Sequence, residues 1–310
     1  MATVVEIELT REAVGRALRG RRIRLGTVAF QALLLLTLLI AMGVLVALLG
    51  DVARTGLPVF QERGTDFLRT GYSTLASRAG VFQGLVGSLM LMGFVVVIAF
   101  PLGIGAAIYM EEYARNTRLT RFINANIRNL AGVPSIVYGL LGLAIFVEAL
   151  GGVTGGLTVI SGGLTLSVLV LPIVMITAAE ALRAVPQSVR EAGYGVGATR
   201  WEVVRSHVLP SAAPGILTGT ILSLGRAFGE TAPLLLVGAK LGFIATGGGS
   251  LLDKLHGPYT SLPSTIFVFT RQPNQEFQAL AAAAIVVLMA VLLVMNSGAI
   301  VMRNRYERRW

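Results

Sequence analysis

Six long apolar runs constrain the fold of this chain more than any other feature. They lie near residues 27–50, 81–110, 130–150, 163–185, 213–239 and 278–302. About 20 predominantly apolar residues, rising ~1.5 Å each, cross the hydrocarbon of a bilayer, and there the backbone must satisfy its own hydrogen bonds. The runs therefore predict an all-α integral membrane protein with six transmembrane helices. Composition agrees, because 54% of the 310 residues are hydrophobic and only 14% are charged, too little charge to cover a soluble domain. The second and sixth runs exceed a perpendicular crossing, which predicts tilt or extension past the membrane surface, and Pro101 predicts a kink in the second. The first run follows a basic stretch but is longer than a signal-peptide core and lacks an evident small-residue cleavage site after it, so it reads as a retained anchor.

The net charge of +10 does not point to nucleic acid, because the basic residues fall in alternate connections between the runs. The N-terminal tail, the 111–129 segment, the 183–212 segment and the C-terminal tail together hold 18 Lys and Arg. The other connections hold 7. By this bias both termini are cytoplasmic, giving a cytoplasmic tail at 1–26, a membrane domain at 27–302 and a cytoplasmic tail at 303–310. The absence of cysteine excludes disulfides, thiol chemistry and Cys-ligated metal. The two histidines, His207 and His256, fall on opposite sides of the membrane in this topology and cannot share a metal.

Between the second and third runs, Leu119, Phe122, Ile123 and Ile127 recur at helical spacing among Arg and Asn, which predicts an amphipathic interfacial helix. In the outer 240–277 connection, the apolar SLPSTIFVFT is expected at the membrane surface. Tyr138 and Ser135 of VPSIVYG are expected to pack in the core, and Glu148 to sit solvated near a span end.

The segment at 188–210, SVREAGYGVGATRWEVVRSHVLP, interrupts the apolar pattern. Ser188 with Glu191 and Thr199 with Glu202 each form a capping-box pattern, predicting two short helix starts with Gly195 and Gly197 turning the chain between them. Trp201, Val204 and Val208 are expected along one side of the second helix, as an apolar edge for a soluble partner to cover. The segment resembles the EAA motif of ATP-binding-cassette importer permeases, with Glu191, Ala192, Gly197, Leu209 and Pro210 in register, Gly193 in place of the second Ala and His207 in place of an Ile. The resemblance implies a coupling helix inserted into a groove of an ATPase subunit, with Glu191, Ala192, Gly197, Thr199, Trp201, Glu202 and Arg205 at the contact.

In the fifth run, GRAFGETAPLL places Arg226 and Glu230 four residues apart, which predicts one helix face near mid-membrane. An Arg there costs about 3 kcal/mol on insertion scales unless it meets a partner or water. Two readings follow. One is a packing ion pair, with Glu180 as a further candidate partner. The other is an anion path in which Arg226 meets the substrate and Glu230 holds Arg226 when the path is empty, with Ser223, Thr231, Thr177 and Glu180 alongside.

Together with LAGVPSIVYGLLGL, EEYA and SLPSTIFVFTRQPNQEF, this stretch resembles the phosphate-specific permeases of the type I importers, the PstA family, from about residue 81 to the C-terminus. The resemblance implies the MetI-like permease fold and a bacterial or archaeal cytoplasmic (inner) membrane. Its implied partners are a homologous PstC-like permease, two PstB-like ATPase subunits and an extracytoplasmic PstS-like phosphate-binding protein. No cofactor is implied for this chain, since no G-x-x-x-x-G-K-[ST] phosphate loop occurs; ATP and Mg belong to the partner ATPase. Where that family commonly carries an Arg and a Glu at the end of the fourth span, this chain has Ile176 and Ala179, while Thr177 and Glu180 match. Loss of one charge of each sign reads as a removed ion pair or an altered anion contact, so molybdate, tungstate and sulfate stay open beside phosphate. An intramembrane enzyme is the remote alternative. It would need a nucleophile and base at membrane depth, where neither a His nor an Asp falls.

Overall fold

The computed structural model describes residues 25–239 and 250–307. The expectation for the N-terminal tail before residue 25, and the first ten residues of the 240–277 connection, lie outside them. Two units are distinguished, residues 1–51 and 52–310. Helix α1 runs Leu25–Arg63. Within the first unit its side chains are exposed, among them Leu33, Leu36, Leu39 and Val46, as expected of a helix whose solvent is lipid.

Among the described residues of the second unit, the regular structure is helical apart from one isolated bridge between Ala239 and Tyr259. Its main elements are α2 (Phe82–Tyr113), α3 (Arg118–Ala131), α4 (Ser135–Ala149), α5 (Val159–Arg183), α6 (Gln187–Gly195), α7 (Arg200–Gly229), α8 (Ala232–Leu236), α9 (Leu262–Arg271) and α10 (Gln275–Glu307). Five helices, α1, α2, α5, α7 and α10, are long and apolar enough to cross a membrane, and the bent pair α3–α4 makes a sixth if taken as one span. The two arms meet at 101°. Pro134 stands extended at the α4 start (φ −55°, ψ 137°); having no amide and disfavouring helix at the residue before it, it breaks the third apolar run near its beginning. The arm α3 has no buried residue, and Leu119 and Phe122 stand open, the geometry of a helix lying in an interface.

α5 is the centre of the bundle, packed by α2, α4 and α7. The main core gathers Leu91, Val95, Leu166, Val170, Val174, Phe228, Leu234 and Phe269. Close approach depends on glycine: a Cβ on Gly163 would collide with the Phe94 ring, and one on Gly56 would lie 2.7 Å from the backbone of Ala282. α9 is packed into the protein on one side, where Leu262, Pro263, Ser264, Thr265 and Phe269 are buried, while Phe267 stays exposed. Serine and threonine allow this, because Ser88 accepts from the Leu262 amide at 2.9 Å and Thr265 donates to the Ser261 carbonyl. Tyr259 is fully buried, and burial pushes its phenol well above the ordinary range.

Two prolines each follow a π-helical turn. In α2 the turn Val95–Ala99 precedes Pro101, with the Phe100 amide donating to the Val95 carbonyl. In α7 the turn Val204–Val208 precedes Pro210, with the Leu209 amide donating to Val204. A wider turn moves aside the carbonyl that the proline ring would otherwise strike.

Candidate functional site

Arg226 lies in the last turn of α7, which ends at Gly229. Glu230 is already extended (φ −73°, ψ 127°), so the expectation of one continuous helix face is corrected. Pro233 is the reason, because it has no amide to donate to the Gly229 carbonyl and its ring would crowd that group. The chain breaks and restarts as α8. The pair survives the break: Arg226 Nε is 3.5 Å from Glu230 Oε1, with side chains 50% and 15% exposed. Leu222, Arg226 and Gly229 form an exposed strip on α7.

The other expected path residues divide. Thr231 stands half-buried at the start of α8. Ser223 is buried and donates to the Gly219 carbonyl at 2.8 Å, while Thr177 donates to Ile173 at 3.0 Å and packs against Gly219, where an added methyl would strike its hydroxyl. Thr177 thus sits at the α5–α7 crossing, and both hydroxyls are already bonded to their own helices. Glu180 is exposed, and the ion pair that Arg226 makes is with Glu230. Ile176 and Ala179 face α3, lining a cavity of about 20 Å³ with Asn124, Ile127, Arg128 and Arg183, away from the Gly219 contact made by Thr177. One polar residue went unnoticed in the sequence: Asn296 of α10, whose Oδ1 would lie 3.9 Å from a Cβ on Gly225. An isolated Asn in an apolar run carried no spacing signal.

At the other end of α7 the coupling segment is a helical hairpin. The Thr199–Glu202 capping box forms in full, with Glu202 Oε2 accepting from the Thr199 amide at 2.7 Å. The Ser188–Glu191 box does not. Pro186 caps α6 one residue before Gln187, which places Ser188 inside the first turn. Gly197 carries the turn at φ +84°, a conformation natural to glycine; Gly195 closes α6 without positive φ. The apolar edge also differs from expectation. Val203, Val204 and Val208 are buried, and Val203 and Val208 join Ala107, Ala178, Leu182 and Ile216 in a second core that fixes the hairpin to the bundle. Trp201 points outward, 54% exposed, together with Tyr194 and Val196. Glu191, Ala192, Gly197, Thr199, Glu202 and Arg205 are exposed as well. Gly193 and His207, the two departures from the EAA pattern, face one another: a Cβ on Gly193 would meet Val203 Cγ2 at 2.8 Å and His207 Cδ2 at 3.3 Å.

The hairpin is also held by charge. Arg183 Nε donates to Glu111 Oε2 at 2.9 Å, Arg190 Nη2 to Glu112 Oε1 at 2.6 Å, and the Arg200 guanidinium lies 5.1 Å from the centre of the Tyr113 ring. In the sequence EEYA is only a mark of the family resemblance, and Arg183, Arg190 and Arg200 carry no signal of a partner. Two adjacent carboxylates closing an apolar span were the available signal. Among the described residues no group of three His, Asp or Glu could hold a metal ion.

The family model described as "Binding-protein-dependent transport system inner membrane component" matches residues 99–305. The chain is 36% identical over 240 residues to "Probable ABC transporter permease protein YqgI" of Bacillus subtilis, covering 75% of this chain and 81% of that protein. It is 38% identical over 220 residues to "Phosphate transport system permease protein PstA" of Yersinia pestis, covering 70% of each. Among solved structures, an inward-facing MetNI methionine ABC transporter matches with TM-score 0.54 at 19% identity, covering 73% of this chain and 94% of that one. A bacterial alginate ABC transporter matches with TM-score 0.60 at 16% identity, covering 91% and 98%. These two show the type I importer permease fold. The chain belongs to the binding-protein-dependent transport system inner membrane component family, as a non-catalytic, multi-pass ABC transporter permease of PstA-like type.

Proposed function

We propose that this permease imports phosphate, with Arg226 as the cation the anion meets. The observation that carries the reading is Arg226 itself, half-exposed as the one charge in the stretch of α7 after Pro210 and tethered to Glu230 at a helix break. A charge in that position is retained at a cost of about 3 kcal/mol, and an open strip on α7 gives it a face that a second permease would close into a path. Glu230 holds Arg226 while the path is empty and yields it to substrate. Thr231 lies at the break where freed backbone groups can also meet an anion. Thr177 and Ser223 set how closely α5 and α7 pack, and Glu180 lies one turn nearer the coupling end of α5. The printed names of the PstA relatives support phosphate as the anion.

In the same reading the exposed hairpin residues Glu191, Ala192, Gly197, Thr199, Trp201, Glu202 and Arg205 dock into a PstB-like ATPase, beside a PstC-like permease and a PstS-like binding protein, with both termini cytoplasmic. The test is uptake of labelled phosphate into vesicles holding the assembled complex, comparing wild type with Arg226→Gln. ATP-dependent uptake that is lost in the variant supports the path; uptake that survives reduces Arg226 to packing.

A further inference from the structure

Three consecutive residues at the end of α2 hold three successive cations of the coupling segment. Glu111 takes Arg183 at the end of α5, Glu112 takes Arg190 in α6, and Tyr113 stacks beneath Arg200 at the start of α7. Three consecutive residues on an α-helix fan over roughly 200°, so one segment can meet all three only by wrapping around the helix end. Here it does, at the π-helical turn Tyr109–Tyr113 with which α2 ends.

The three contacts are unequal. Arg183 is 44% exposed, and an ion pair so open to solvent contributes little. Arg190 and Glu112 have side chains only 14% and 6% exposed. Arg190 also donates to the carbonyls of Val185 at 2.8 Å and Leu182 at 2.9 Å, so one guanidinium joins α2, the carboxyl end of α5 and α6. A buried pair is no stronger in net terms than good apolar packing, but breaking it leaves an uncompensated charge. Its direction and fixed geometry suit it to resist relative motion more than to add stability.

We infer that the Glu112–Arg190 pair is a positioning device that makes α2, the end of α5 and the coupling hairpin move as one rigid body, so that a push on the hairpin is delivered to α2 as well as to α7. The hairpin is covalently continuous with α5 and α7 only. Without the pair, α2 and the hairpin would be joined only by the solvent-exposed Glu111–Arg183 pair, the Tyr113–Arg200 stacking and apolar contacts that include Ala107 in the second core. This inference rests on the coupling reading of the hairpin.

The chain has no cysteine, so spin labels can be placed singly. Val196→Cys at the hairpin tip and Val97→Cys on the exposed face of α2, 83% and 72% exposed, report their separation in the assembled complex, nucleotide-free and ATP-trapped. The expected result is one unchanged separation in the Glu112 background and an ATP-linked shift with Glu112→Gln, accompanied by about a fivefold or greater fall in substrate moved per ATP hydrolysed. If Glu112→Gln does not assemble, Arg190→Lys, which keeps the charge but loses the fork, serves in its place. A separation that shifts with Glu112 present, or that stays equally fixed in the variant, overturns the inference. Failure of the coupling reading shows separately, as absence of any cross-link between Val196→Cys and the ATPase.

Discussion

At the scale of single residues, Arg226 and Gly193 make opposite demands. Arg226 is retained where it costs free energy, so removing its charge should leave the fold intact and damage transport. A charge-assisted contact is worth about 1.5–3 kcal/mol, and Arg226→Gln should therefore lower uptake roughly tenfold or more while thermal unfolding of the purified complex is little changed. Gly193 behaves in the reverse way. Its missing methyl is the space occupied by Val203 and bordered by His207, so Gly193→Ala should destabilise the hairpin by about 1–3 kcal/mol through overpacking. Val203→Ala in the same chain should recover part of that loss, which thermal unfolding of the single and double variants measures. Gly193 and His207 thus read as a matched change, a point invisible in sequence because the two lie in different helices of the hairpin.

At the scale of elements, the second coupling helix owes its start to one local device. Thr199→Ala removes the capping box and should cost about 1 kcal/mol at that helix start, seen as faster amide hydrogen exchange at the start of α7 with the rest of the bundle unchanged. Trp201→Ala should act differently, leaving exchange alone and weakening capture of the ATPase by about 2 kcal/mol if Trp201 is an interface anchor. Elements of this kind were readable where chemistry is local. Apolar length located the spans, and Thr199 with Glu202 located a helix start. What could not be read was set by neighbours or by competing local rules. Pro186 overrode the capping pattern at Ser188, and Pro233 cut the fifth run at Gly229 although its composition continues apolar. The wrapping of Arg183, Arg190 and Arg200 around Glu111, Glu112 and Tyr113 depends on contacts more than 70 residues apart in the two ion pairs, for which spacing has no signature. α9 read as an apolar surface element, and the hydroxyls of Ser88 and Thr265 show how one side of it can be buried.

At the scale of the whole molecule, two regions at opposite ends of α7 carry the account. One end holds Arg226 and Glu230 at a helix break; the other begins in the hairpin that offers Trp201, Tyr194 and Val196 to a partner. A single helix of 30 residues, Arg200–Gly229, joins them, and its π-helical turn at Val204–Val208 lets Pro210 pass without interrupting it. In the proposed reading, docking of an ATPase at one end is thereby tied to the position of Arg226 at the other, and the inferred role of the buried Glu112–Arg190 pair adds α2 to the same body. Ile176 and Ala179 line a cavity against α3, and the proposed reading takes the anion preference to be phosphate, as the names of the PstA relatives suggest. The most direct test of that claim is uptake of labelled phosphate into proteoliposomes carrying the assembled permeases, ATPase and binding protein, with unlabelled sulfate and molybdate as competitors. The account predicts ATP-dependent phosphate uptake that neither competitor suppresses. An assembled complex that hydrolyses ATP yet imports sulfate or molybdate in place of phosphate would contradict it.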